Sequence, residues 1–174
     1  MTDPLTWSHR TTEIPEPGLH VTQIATPAER AAIAKALDIV SCEGLEADYV
    51  VRALGEGRYR LKGSLTAQIT QECVVTLEPV PEKVVEEIDV AFWPLDSLPH
   101  AGEEEMEVSS VPEVEAIEHG QIAAGRVLLE ILSASLDPYP RKPGARFEWE
   151  DAATEEAAGG TGPFAGLKKL KNQS

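Results

Sequence analysis

Two cysteines, Cys42 and Cys73, and four histidines, His9, His20, His100 and His119, are the residues of this chain best suited to covalent or metal chemistry. A cysteine nucleophile needs a base, usually histidine, and a group that orients the base. No histidine stands in a recognisable local signature with Cys73, so the plainer reading is a small buried or strand-end cysteine. Zinc held by cysteine alone needs three or four thiolates, and no His/Cys/Asp/Glu spacing of the zinc or iron type is present. The run Glu103-Glu104-Glu105-Met106-Glu107 lacks the spaced ligands and central glycine of a calcium loop. Gly55-Glu56-Gly57 joins two strand-like stretches rather than a strand and a helix, so it is not a phosphate loop. Carboxylates abound, yet none sits in an evident apolar pocket that would set up acid–base work. Residue types and spacing alone therefore nominate no enzyme, and the expectation is no metal and no cofactor.

Two segments exceed this background. Gln71-Glu-Cys73-Val-Val-Thr76-Leu-Glu78-Pro-Val80 reads as a compact loop and strand between two longer strands. Asp137-Pro-Tyr139-Pro-Arg141-Lys142-Pro-Gly144 carries three prolines, which fix an extended, turn-like path and place Tyr139, Arg141 and Lys142 on a stiff scaffold. A preformed segment loses little entropy on binding, and arginine with tyrosine is a common hot-spot pairing. The plainer alternative is a rigid connector covering a sheet edge. A third stretch, Pro163 to Lys171, sets Phe164, Leu167 and Leu170 among Lys168, Lys169 and Lys171. It is too short to hold a helix alone. It either docks on its own acidic domain or engages a partner or RNA.

The elements that must position these segments are legible. Thr26-Pro27-Ala28-Glu29 is a capped helix start with proline in the first turn, and the helix is predicted to run to about Asp38 with Ile33, Ala34 and Leu37 inward. Leu45, Ala47, Tyr49, Val51 and Ala53 alternate with polar positions. The alternation resumes after Gly55-Glu56-Gly57 through Tyr59, Leu61, Gly63, Leu65, Ala67 and Ile69, which predicts a hairpin. Glu46 and Asp48 are expected across from Arg60 and Lys62. A third strand is read from Lys83 to Phe92, stopped by Trp93-Pro94, and Leu19 to Ile24 is a further edge strand. Gln121 to Leu136 reads as a helix with Ile122, Gly125, Leu129, Leu132 and Leu136 on one face, ended by Asp137-Pro138. The predicted architecture is α+β: an antiparallel sheet of about four strands packed by two helices.

The chain has 174 residues, enough for one domain with a real core, and a formal net charge of −15. Residues 1–66 hold seven basic and nine acidic side chains, whereas residues 67–174 hold eight and 21. Dense like charge opposes compaction. Residues 1–147 are thus expected as one domain with a mobile acidic loop at about 96–118, followed by an acidic linker at 148–162 and a basic amphipathic tail at 163–174. On average such a chain repels nucleic acid and suits a basic partner. No apolar run approaches the roughly 20 residues of a membrane span. No basic, then apolar, leader opens the sequence, so a cytoplasmic protein is expected.

Three strings carry a family resemblance: Gln71-Glu-Cys-Val-Val-Thr-Leu-Glu-Pro79, Leu136-Asp-Pro-Tyr-Pro-Arg-Lys-Pro-Gly-Ala145 and Pro163-Phe-Ala-Gly-Leu-Lys-Lys-Leu-Lys171. With their order along residues 8–171, they resemble the YceD family, the large ribosomal RNA subunit accumulation proteins, in the form found in alphaproteobacteria. The resemblance implies a cytoplasmic protein needed for accumulation of large-subunit ribosomal RNA, with no established enzymatic activity. Family genes often neighbour a gene for a small basic large-subunit protein, and plant relatives act on chloroplast ribosomal RNA. It implies as partner a basic large-subunit ribosomal protein or the ribosomal RNA itself. The candidate contact residues are Cys73, Thr76, Glu78, Tyr139, Arg141, Lys142, Arg146, Phe164, Leu167, Lys168 and Lys169. Many relatives carry Cys-x-x-Cys where this chain has Cys73-Val-Val-Thr76, and some carry further cysteines near the position of Pro140–Gly144. Here the proline segment is expected to act as the staple instead. The stretch Gln121-Ile-Ala-Ala-Gly-Arg126 also departs from the Ile-Asp-Leu-Gly-Glu-Leu usual in relatives. The alternative from another class is a Cys73-dependent hydrolase or nuclease acting in RNA metabolism.

Overall fold

The computed structural model describes residues 3–98 and 113–146. The chain divides into two units, Met1–Pro143 and Gly144–Ser174, and of the second only Gly144, Ala145 and Arg146 are described. The linker expected at 148–162 and the tail at 163–174 lie outside the described residues.

In chain order the elements are β1 (His9–Arg10), a 3-10 turn (Thr11–Glu13), β2 (Leu19–Ile24), α1 (Pro27–Ala36), β3 (Ser41–Gly55), β4 (Arg58–Glu72) and β5 (Pro79–Pro94). A 3-10 turn (Leu95–Ser97), β6 (Glu113–Ile117), β7 (Gln121–Ile122) and α2 (Ala124–Ser135) follow. The main sheet has the order β2-β3-β4-β5-β6, and a small separate ribbon pairs β1 with β7. The fold is α+β, as the patterning predicts. The sheet has five strands rather than about four, and its last pair, β5 with β6, is parallel.

Side-chain alternation explains the layering. Leu45, Ala47, Tyr49 and Val51 of β3, Leu61, Leu65, Ala67 and Ile69 of β4, and Val84, Ile88, Val90 and Phe92 of β5 share one buried cluster. Ile33 of α1 and Val127, Leu128 and Leu132 of α2 close the same cluster, so both helices cover one face. Fully burying such an aliphatic side chain contributes about 1.5–3 kcal/mol. The other face carries Asp48, Arg52, Lys62, Ser64, Gln68, Val85, Glu87 and Asp89, all exposed, and nothing among the described residues covers it. α1 begins in the expected capping box: the Glu29 amide donates to the Thr26 hydroxyl, and the Thr26 amide donates to the Glu29 carboxylate at 2.8 Å.

Three expectations need correction. Glu56 (φ 53°) and Gly57 (φ 73°) form a two-residue turn that pairs Gly55 with Arg58. That turn sets Asp48 opposite Ser64, Lys62 opposite Val50 and Arg60 opposite Arg52, not Glu46 and Asp48 against the bases. The helix expected from Gln121 begins at Ala124, because His119 (φ 51°) and Gly120 (φ 69°) turn the chain and Gln121–Ile122 pairs with β1. The amide of Gly125 then donates to the Trp7 carbonyl at 2.7 Å, and a Cβ there would meet the Leu5 carbonyl oxygen at 2.5 Å. Finally, the stretch read as one loop over about 96–118 contains a strand. Glu113–Ile117 pairs with Val90–Pro94, and Arg126 of α2 bonds Glu115 within it. Residues 99–112 lie outside the described residues.

Candidate functional site: a loop stapled by the proline segment

β4 and β5 are joined by Cys73-Val-Val-Thr76-Leu77-Glu78. Two backbone bonds close this loop: the Cys73 amide donates to the Glu78 carbonyl, and the Leu77 amide donates to the Cys73 carbonyl, both at 2.9 Å. Leu77 takes a left-handed conformation, φ 58°. The Thr76 amide folds back to donate to Cys73 Sγ at 3.5 Å. The loop therefore aims its own amides at its sulfur.

The proline segment packs against this loop. Three prolines hold it extended, and the Asp137 carboxylate accepts from the Tyr139 amide at 2.9 Å, bending its start. Four bonds then join the segment to the loop and to the end of β4. The Val74 amide donates to the Pro140 carbonyl at 2.9 Å, and Gln71 Nε2 donates to the Asp137 carbonyl at 3.0 Å. The Lys142 amide donates to Cys73 Sγ at 3.3 Å, and Lys142 Nζ pairs with Glu78 Oε1 at 2.8 Å. The last pair is half exposed and worth at most about 1 kcal/mol. The part-buried amide contacts to the sulfur contribute about 0.5–1.5 kcal/mol each.

The Cys73 thiol is 0% exposed. The Lys142 amide lowers its pKa most, Thr76 adds to this, and burial opposes them; the result is about 7. Lys142 and Thr76 hold the Glu78 carboxyl below its usual range. The sulfur thus acts as a two-amide acceptor at the centre of the staple. The loop and the proline segment together cover the sulfur. His9 is engaged with the Tyr49 hydroxyl at 2.8 Å and His20 with Asp48 at 2.9 Å. Among the described residues no group of three or more His, Cys, Asp and Glu is gathered to hold a metal ion.

Of the residues singled out in the sequence, Cys73, Thr76, Glu78 and Lys142 converge here. Tyr139, 70% exposed, projects from the same segment, and Arg141 is exposed beside it. Arg146 belongs to the second unit, and Phe164, Leu167, Lys168 and Lys169 lie outside the described residues. Sequence reasoning missed Gln71, Val74, Leu77 and Pro140. Val74, Leu77 and Pro140 act through backbone atoms, which residue type does not advertise. Val74 and Leu77 are also exposed large apolar side chains, so the stapled loop displays Val74, Leu77 and Tyr139 to solvent. No helix among the described residues is long and apolar enough to cross a membrane. No family model, no curated protein and no solved structure matches this chain.

Proposed function

We propose that this chain is a cytoplasmic, non-enzymatic binding factor that supports accumulation of large-subunit ribosomal RNA and assembly of the large subunit, by holding a basic ribosomal protein. The observation that carries the reading is the staple. It fixes Val74, Leu77 and Tyr139 as exposed anchors on a scaffold that is ordered before binding. The net charge of −15 supplies long-range attraction for a basic partner and screens that partner from premature contact with RNA. The ribosomal setting comes from the resemblance of the Cys73 and proline strings. A second reading, a Cys73-dependent hydrolase or nuclease, draws on the thiol pKa of about 7, and the enclosure of the sulfur weighs against it.

The test is a sucrose-gradient profile of ribosomes from cells lacking the protein, with RNA and subunit proteins quantified in each fraction. Loss of large subunits, restored by the wild-type chain and by Cys73→Ser but not by Leu77→Ser/Tyr139→Ser, is the expected result. A normal profile sinks the assembly reading. A defect that Cys73→Ser fails to restore, while the Leu77/Tyr139 variant restores it, favours the enzyme.

A further inference from the structure

The open face of the sheet carries a feature at odds with the acidity of the chain. Four of its 15 lysines and arginines, Arg52, Arg58, Arg60 and Lys62, gather at the hairpin end of that face. Arg52 stands directly across from Arg60, a cross-strand like-charge pair that opposes folding. Asp89 on β5 is shared by two cations: Arg60 Nε lies 2.6 Å from Oδ1, and Lys62 Nζ lies 3.0 Å from Oδ2. Glu56 lies 3.7 Å from Arg58. Arg52 has no carboxylate partner among the described residues. Gly18 leaves room for its stem, since a Cβ there would meet Arg52 Cγ at 2.7 Å. Among the described residues these four cations make ion pairs with two carboxylates, which leaves a positive surplus at the hairpin end, and Asp48 and Glu87 stand one same-face position beyond Lys62.

The surface is also shaped. Val50, Arg52, Leu54, Arg60 and Lys62 line a concavity of about 440 Å³. One residue pair further along, the Arg58 guanidinium lies 4.5 Å from the centre of the Trp93 ring. That stack presents two planar groups beside the charged hollow. Leu54 is 57% exposed at its rim.

We propose that this end of the open sheet face binds single-stranded RNA, with Arg52, Arg60 and Lys62 on phosphates and the Arg58–Trp93 pair as a stacking platform for a base. Bases stack on aromatic rings and on arginine planes, and an open antiparallel sheet offers the flat support that this mode needs. An acidic peptide is the less fitting occupant. Extended peptides add to sheet edges, whereas these groups lie on a face, and a carboxylate chain leaves the planar pair unused. The inference stands apart from the reading of the staple: it uses other residues and does not need the basic ribosomal protein. It also differs from RNA contact through Arg141, Lys142, Arg146 and the lysine tail.

Fluorescence anisotropy of a labelled, mixed-sequence single-stranded RNA of about 12 nucleotides, titrated with the full chain, tests this. The titration is repeated between about 50 and 200 mM salt. Arg52→Gln/Lys62→Gln, both exposed positions, is expected to weaken binding about tenfold or more. It should also reduce the slope of log K against log salt by about 1.4, the value for two lost single-strand phosphate contacts. Trp93→Leu should weaken binding with the salt slope unchanged. Lys35→Gln and Lys168→Gln/Lys169→Gln should bind as wild type, and melting curves check that each variant is folded. The proposal is overturned by no binding at the lowest salt, or by equal loss with every lysine or arginine removed. It is also overturned if a glutamate-rich peptide displaces the RNA at similar concentration, which would make the site one for acidic polypeptide. None of these failures bears on the sucrose-gradient result.

Discussion

At the scale of single residues, Cys73 ties chemistry to architecture. Its sulfur accepts from two backbone amides, Thr76 of its own loop and Lys142 of the proline segment. An acceptor is stronger as thiolate, so the amides lower the thiol pKa from an ordinary 9.0 to about 7. The sign of the linkage follows. A group whose folded pKa is depressed contributes stability that is fully present above the unfolded value and is lost as pH falls through the folded one. The Cys73 contribution should therefore grow from about pH 7 to about pH 9 and be small below that window. Cys73→Ala removes the acceptor and leaves both amides unpaired. Thermal melts of the two chains across this range should show the gap in Tm widening towards alkaline pH. A constant gap would mean that the sulfur is held as a neutral thiol and that the amides merely pack against it.

The element scale separates what the sequence announces from what it conceals. Period-two alternation announced β3, β4 and the middle of β5 together with their inward residues, although β5 starts at Pro79 and runs through Trp93 and Pro94, which pair with β6 instead of stopping it, and the Thr26-Pro27-x-Glu29 string announced α1. These signals are local, and burial of one face enforces them. The register of β3 against β4 was concealed, because the apparent attraction of Glu46 and Asp48 for Arg60 and Lys62 is weaker than the geometry of the Glu56-Gly57 turn. His20 and Thr22 of β2 take Asp48 instead, and Asp89 of β5 takes both bases. β6 was concealed by its acidity, and β7 by helix-like spacing that continues into α2. The site was half legible: the two strings stood out, but their junction runs through carbonyls and amides. The register has a measurable consequence at Gly63, which pairs with Tyr49. A Cβ on Gly63 would lie 2.0 Å from the Asp48 carbonyl oxygen and 2.5 Å from Tyr49 Cα. β3 and β4 cannot keep their spacing with alanine there. Gly63→Ala should therefore destabilise the chain by about 3 kcal/mol or more in urea unfolding. A loss under about 0.5 kcal/mol, the scale of a neutral surface change, would show that this stretch of the hairpin has slack.

For the whole molecule the governing quantity is charge, and two opposed effects of pH can be weighed. A balance of −15 repels itself, and that repulsion weakens as carboxylates protonate or as salt screens them. Against this, Glu29, Glu43, Asp48, Glu78 and Asp89 all have pKa values below their ordinary 4.5 or 3.8. Hydrogen bonds from Thr26, Ser41, His20, Lys142 and Arg60, in that order, are the leading causes. Depressed carboxylates contribute stability that is present above their ordinary values and lost as pH falls through the folded ones. Between neutrality and about pH 5, relief of repulsion acts while these groups remain ionised, and His9, whose pKa burial lowers, opposes it, so Tm should change little on mild acidification. Below about pH 4 the hydrogen-bonded carboxylates take up protons and Tm should fall steeply. Added salt separates the two effects. Exposed pairs contribute about 0–1 kcal/mol each, so screening them loses little, whereas screening the net charge gains. Salt should accordingly raise Tm at pH 7 and have little effect near pH 5, as calorimetry at both values can read. A Tm that falls with salt at pH 7 would mean that specific ion pairs outweigh the net repulsion. In that case a basic partner could not derive its affinity from relieving the repulsion, and the exposed Val74, Leu77 and Tyr139 would have to hold it alone.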